Sequence, residues 1–400
     1  MEQVLNQLPK GWINVQVKDV TKSLSSGFAC NKSFETTDGY VHLRTHNIST
    51  SGCLNFDQMI KVSHEKIDEK KSKIFKGEIL FNNTNSKELV GKTAYVDQDY
   101  DFAFSNHLTR IVPNDKVHSK FLVYWLVSLQ TSGYFNQICK KWIGQAGVNN
   151  TVLKSLSVPL PSKEEQKRIV EKLDALLTRI DTAIEHLQSK LALSKQLFDS
   201  VLDEFFKLSD CDSVPLTEVV DFIGGSQPPK SQFSDVQKEG YVRLIQIRDY
   251  KTDNHIVYVD SASTKKFCTK EDVMIGRYGP PVFQILRGLD GAYNVALMKA
   301  VPNEDVLTKD YLFWFLQSPS IQNYVIGISQ RAAGQSGVNK KALEKYLIPV
   351  PSKTIQNDIV DKVGQLVNKS RNLEAEVTAE ITSLSQLKAS ILDSAFKGEL

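Results

Sequence analysis

The sequence predicts an α/β (α+β) fold in which two tandem modules are separated by two long helices packed as an antiparallel coiled coil. Three observations predict it. The chain matches itself, so one unit is present twice. Each copy ends in a long proline-free run with a heptad-like apolar seam. Each copy begins with short β-branched runs separated by turn signals.

The repeat is strongest toward the end of each copy. Gly144–Leu173 aligns without a gap to Gly334–Val363, and fourteen of those thirty positions are identical. At ordinary residue frequencies about two would match by chance. The same offset aligns Ser200–Lys207 with Ser390–Lys397 and Phe121–Ser128 with Tyr311–Ser318. Upstream the offset drifts: Gly39–Leu43 faces Gly240–Leu244, and Ile111–Asn114 faces Ala300–Asn303. The well-matched back parts are expected to face the same partner or each other. The divergent front parts are expected to recognise different things.

The first helical seam reads Ile169, Leu173, Leu176, Ile180, Ile184, Leu187, Leu191, Phe198, Val201 and Phe205. The second reads Ile359, Val363, Leu366, Leu373, Val377, Ile381, Leu384, Leu387, Ile391 and Phe396. The expected helix-pair core is Ile169, Leu173, Leu176, Ile180, Ile359, Val363, Leu366 and Val377. Ser162 and Ser352 follow prolines at plausible N-caps, and Glu165 completes a capping box with Ser162. A helix of about 45 residues, roughly 65 Å long, cannot bury its seam in one small domain, so the two should pack on each other. A break near Gln188–Ser194 would instead give shorter helices. The boundaries that follow are 1–160 for the first module, 161–208 for the first long helix, 209–350 for the second module and 351–400 for the second helix.

The front parts carry YVHLRTHNI, KGEILFNNT and KTAYVD in one copy, and YVRLIQI, HIVYVD, EDVMIG and NVALMKAV in the other. Aromatic helices are expected around Lys120–Leu129 and Lys309–Gln317. Ile223–Lys230 and Gly276–Pro281 read as loops.

Charge adds a partition. The whole chain carries a net +3. Lys163–Lys207 holds eight basic and nine acidic residues, and Lys353–Lys397 holds six of each. The positive excess therefore lies in the front modules, where a phosphate-tracking surface would need it. Five scattered cysteines without a C-x-x-C pair argue against a disulfide framework or zinc site. With no leader-like start and no long apolar run, a cytoplasmic location is expected.

No catalytic constellation stands out. Val90–Thr93 (VGKT) lacks the upstream glycine of a P-loop, with Ser86 in its place. His64-Glu65 has no second histidine at helical spacing. Asp68-Glu69-Lys70 reads as a solvated face. A metal site and a catalytic residue are expected to be absent.

The two-copy layout, the opening Leu8–Trp12 (LPKGW), the segment Pro159–Asp174 and the segment Ser390–Leu400 together resemble the specificity (S) subunit of type I restriction-modification systems. The second copy keeps Gln356 and Ile359 but lacks a glutamate before the glutamine. The resemblance implies two target-recognition modules, each reading one half of a bipartite asymmetric double-stranded DNA sequence. It implies helices that set the half-site spacing and dock two methyltransferase (M) subunits. S-adenosylmethionine, ATP and Mg would then belong to partner subunits, with cleavage done by restriction (R) subunits.

Base reading requires Arg, Lys, Asn, Gln or hydroxyl side chains on loops. The candidates are Arg44, His46, Asn82, Asn83, Asn106 and Lys141 in the first module. In the second they are Arg243, Gln246, Arg248, Arg277, Tyr278, Gln284 and Arg331. Gln145 and Gln335, with Asn149 and Asn339, are identical in both copies, so they read as phosphate contacts or as loop caps. Two other readings stay open: an adaptor with two non-DNA binding modules on a coiled-coil rod, and a stand-alone nuclease or methyltransferase.

Overall fold

The computed structural model describes residues 8–207, 211–330 and 337–400. The chain divides into two compact units, Met1–Gln188 with Thr378–Leu400, and Ser189–Val377.

In the first unit, Ile13–Gln16 pairs antiparallel with Ser157–Leu160 and ties together the two ends of the module. A four-stranded antiparallel sheet runs in the order Thr21–Ser26, Leu108–Pro113, Ile79–Asn82, Thr93–Tyr95. Of its two inner strands, Ile79–Asn82, called the central strand below, is buried on both faces, which is why ILF reads as an unbroken apolar run rather than an alternation. Ile79 and Phe81 point into a core shared with the aromatic helix Ser119–Thr131, while Leu80 points into a core with Leu43, Ile48 and Phe104. A second sheet joins Lys61–Val62, Glu35–Leu43 and Ala103–Phe104, the last pair parallel.

The second unit repeats this plan. Its antiparallel sheet runs Val220–Gly224, Leu297–Pro302, Val273–Gly276, Gln284–Leu286. Its other sheet runs Tyr258–Asp260, Tyr241–Ile245, Gly291–Tyr293, Phe267–Cys268. Ser213–Pro215 pairs with Leu347–Pro349 as the closing ribbon. The aromatic helix is Lys309–Phe315.

The long helices are Lys163–Glu204 and Lys353–Phe396, of 42 and 44 residues, and neither is interrupted. Within the first unit they are antiparallel. Arg168 donates to the Leu400 carbonyl at 2.5 Å, and Lys388 meets both carboxylate oxygens of Asp181 at 2.6 and 2.9 Å. Residue numbers thus rise on one helix as they fall on the other. Phe396 packs edge-on against Phe121, with ring centroids 5.3 Å apart. In the second unit Leu202 and Phe206 share a core with Ile359 and Val363. Ile169, Leu173, Ile180, Ile359, Val363 and Val377 are buried. Leu176 and Leu366 are only half-buried, which corrects the expected core. Leu177 is the buried neighbour of Leu176, because one residue along a helix turns the side chain by about 100°.

The repeated glutamine at each helix start is a clamp. Gln166 is buried, accepts the His118 amide at 2.7 Å, and donates to the carbonyls of Lys116 and Pro161 at 3.2 and 3.0 Å. Gln356 does the same with Thr308 at 2.8 Å, Val306 at 2.7 Å and Pro351 at 2.8 Å. Ser162 caps the first helix by accepting from the Glu165 amide at 3.3 Å, and the Glu165 carboxylate holds Arg168. Among the described residues no helix is long and apolar enough to cross a membrane.

Candidate nucleic-acid interface

Three backbone hydrogen bonds line up the loops at one end of each module. In the first module Ser105 donates to Leu43 at 2.9 Å, Asn83 to His107 at 3.0 Å, and Val148 to Asn83 at 2.9 Å. In the second Asn294 donates to Ile245 at 3.1 Å, Arg277 to Ala296 at 2.9 Å, and Val338 to Arg277 at 2.9 Å. These bonds place four segments side by side. They are the corner after the parallel strand, the turn before the last sheet strand, the end of the central strand, and the repeated G-V-N segment.

The frame corrects the sequence alignment by one residue. GYVHL and GYVRL match as text, but the backbone pairs His42 with Leu244 and Leu43 with Ile245. Both corners then close alike: the Arg44 amide donates to the Asn47 side chain at 2.8 Å, and the Gln246 amide to Asp249 at 3.0 Å. A slip of one residue in a strand exchanges the two faces, so the correct register decides which side chains are presented. Gly27 and Gly225 fit beneath the turn because only hydrogen fits there. A Cβ would stand 1.9 Å from the Phe104 carbonyl oxygen or 2.0 Å from that of Asn294.

The frame carries different side chains in the two modules. In the first, His46, Asn106, Lys141 and Gln145 are exposed on it. The His46 ring lies 3.1 Å from the Gln58 carbonyl. Arg44 is half-buried, with its guanidinium 3.4 Å from the Cys30 carbonyl and 3.6 Å from Glu35. In the second, Arg248 and Tyr278 are exposed and Gln246, Arg277 and Gln284 are half-exposed. Arg277 reaches the Val295 carbonyl at 3.3 Å, and Gln284 donates to Pro281 at 3.0 Å.

Several expected readers are structural instead. Asn82 is fully buried on the face that carries Leu80, and its side-chain amide has no partner among the described residues. Asn83 is buried and bonds the Asn106 carbonyl at 3.1 Å and the Thr109 hydroxyl at 3.0 Å. Arg243 is turned inward, 2.8 Å from Asp253 and 3.8 Å from the buried Asp249. Burial pushes the Asp249 carboxyl above its ordinary range, against the opposing pull of Arg243. Asn149 and Asn339 cap short helices, accepting from Val152 at 2.9 Å and Ala342 at 3.1 Å. Arg331 and Gln335 lie outside the described residues.

Sequence reading missed the hairpin Lys140–Trp142 and Gln145–Gly147, which adds to Thr84–Asn85 beside the frame. It exposes Lys140, Lys141, Trp142 and the tip residue Ile143. The available signal was a tryptophan between two lysines and the repeated glycine, a place where no core demands an indole. Beneath the corner, His42 is buried with its ring 3.2 Å from the Phe28 carbonyl. Burial first, and Arg44 second, lower its pKa to about 4, so it is neutral and donates from Nε2. No cluster of three or more His, Cys, Asp or Glu suited to a metal occurs among the described residues.

Comparison with known proteins fits this plan. Residues 9–193 and 209–383 match the type I restriction modification DNA specificity domain. The chain is 25% identical to the specificity subunit of the type I restriction enzyme EcoKI from Escherichia coli (strain K12), over 98% of this chain and 90% of that protein. A solved chain from a study of complex assembly and conformational transition of the type I R-M system shares the fold. Its TM-score is 0.74 at 22% identity, covering 99% of this chain and 100% of that one. The HsdS subunit from Thermoanaerobacter tengcongensis gives 0.51 at 21% identity, with 100% of each chain covered. The chain belongs to the type I restriction modification DNA specificity family, carrying the family's domain twice in tandem.

Proposed function

We propose that this chain is the sequence-recognition subunit of a type I restriction-modification complex in the cytoplasm. Each module reads one half of a bipartite, asymmetric duplex target. The paired helices set the distance between half-sites and dock two methyltransferase subunits. Adenine methylation with S-adenosylmethionine belongs to those subunits, and ATP- and Mg-dependent cleavage belongs to restriction subunits. This chain supplies no catalytic group.

One observation carries the reading. The same three backbone bonds frame Arg44, His46 and Asn106 in one module and Gln246 and Arg248 in the other. A constant frame with variable donors is what two readers of different half-sites require. The adaptor reading explains the repeat and the rod but not why the divergence falls on donor-bearing loops.

The test is to purify the chain with its methyltransferase and map the methylated motif in host DNA. Substituting Gln246 and Arg248 together should alter one half of that motif and leave the other intact. A change in both halves, or a chain that ignores the methyltransferase, would overturn the proposal.

A further inference from the structure

In each module the repeated glycine of the G-V-N segment is covered by an exposed aromatic ring, and the two rings come from different parts of the chain. Trp142 of the hairpin lies over Gly147, where an added Cβ would stand 2.9 Å from the indole Cζ3. Tyr278, at the end of the central strand, lies over Gly337, where a Cβ would stand 2.8 Å from Cε1. In sequence Trp142 aligns with Ala332, and the backbone frame sets Tyr278 opposite Thr84, so neither ring has an aromatic counterpart.

Each ring also carries a cation. The Lys140 ammonium stands 6.0 Å from the Trp142 ring centroid, and the Arg277 guanidinium 5.2 Å from that of Tyr278. Neither cation has a carboxylate partner among the described residues. Trp142 is 54% exposed and Tyr278 40% exposed. A large ring left this open, set against a glycine and flanked by a cation without a carboxylate partner, is a poor core element and a good contact surface.

We infer that these two platforms grip the sugar–phosphate backbone of duplex DNA beside each half-site. The ring packs against deoxyribose and the cation takes a phosphate. In an intact duplex the bases offer only their edges in the grooves, so a ring face meets sugar rather than base. The platform sits on a glycine common to both copies, whereas the readers diverge around it. It therefore positions the module without encoding sequence. The inference rests on the DNA-reading role proposed above and adds Trp142 and Lys140 to it.

The experiment uses the full chain assembled with its methyltransferase subunits. Binding is followed by fluorescence anisotropy on labelled duplexes, one carrying the methylated motif and one scrambled, over a salt series. Trp142→Ala is expected to weaken both duplexes about tenfold, through loss of the apolar area the ring covers. Gly147→Ala, which pushes the ring aside, should reproduce the loss, and Trp142→Phe should restore most of it. Lys140→Ala should lower the slope of log affinity against log salt by about one. An unchanged melting temperature separates these effects from misfolding. Loss confined to the motif duplex would make the ring a base reader and overturn the inference. So would unchanged duplex binding, whether or not the methyltransferase subunits are lost. A wild-type complex that binds neither duplex would instead remove the DNA-reading role itself.

Discussion

The side-chain oxygen of Gln356 accepts the Thr308 amide at 2.8 Å, and Gln166 accepts the His118 amide at 2.7 Å in the corresponding place. Each buried amide fastens the start of a long helix to the loop that opens the aromatic helix of its own module. Gln356→Ala should leave one backbone N–H and two carbonyls unpaired in the interior. The expected loss is about 2–4 kcal/mol, read as a lower urea midpoint. Gln356→Glu should be at least as damaging, because a carboxylate oxygen would then face the Val306 and Pro351 carbonyls.

A pH dependence follows from His42. Its pKa of about 4 in the folded chain lies below the ordinary value of 6.5. The unfolded chain therefore binds the proton more readily between these values. The stability contribution is complete above pH 6.5 and is lost as pH falls from 6.5 toward 4, to the extent of about 2–3 kcal/mol. His42→Leu copies Leu244, its counterpart in the second module. It should flatten stability against pH in that window while leaving the profile above pH 7 unchanged.

Adjacent glycines give a sharp contrast. Gly225→Ala would drive a methyl group into the Asn294 carbonyl oxygen at 2.0 Å, whereas at Gly224 the nearest atom is Arg277 Nη1 at 3.8 Å. The first substitution should cost about 3 kcal/mol and the second under about 1 kcal/mol by thermal unfolding. Equal effects would show that the turn does not lie where the frame requires it.

Lys388 and Asp181 join the long helices within the first unit, and Ser51 adds a contact to the same ammonium at 3.2 Å. The pair is partly screened by water, so a double-mutant cycle with Ala at both positions should give a coupling of about 1 kcal/mol. The coupling should shrink in 1 M salt, since exposed charge is screened there.

The duplication, the long helices and the strand runs were legible because each rests on periodicity or on repetition of text. The reader side chains were only partly legible. Asn82, Asn83 and Asn106 are chemically alike in sequence, yet the first two are buried and the third faces water. That difference is set by sheet neighbours far away in the chain. Arg243 looked like a donor because its acidic partners, Asp249 and Asp253, stand beyond the corner. Trp142 escaped because an aromatic residue is read as core unless its exposure is known. The one-residue shift between GYVHL and GYVRL shows the same limit: identical letters do not fix a strand's register, which hydrogen bonds to its neighbours do.

The division of the chain into Met1–Gln188 with Thr378–Leu400, and Ser189–Val377, has a consequence for synthesis. Leu392 and Ala395 are fully buried in the core that contains Phe121 and Trp125. The module made first on the ribosome is therefore the one finished last. It waits, with an apolar face uncovered, until the whole second module has emerged and the final residues return to it. Contacts that distant in sequence raise the contact order, and the wait exposes the nascent chain to aggregation. A ribosome that stops early yields a chain whose flaw lies in its first module, far in sequence from the missing end.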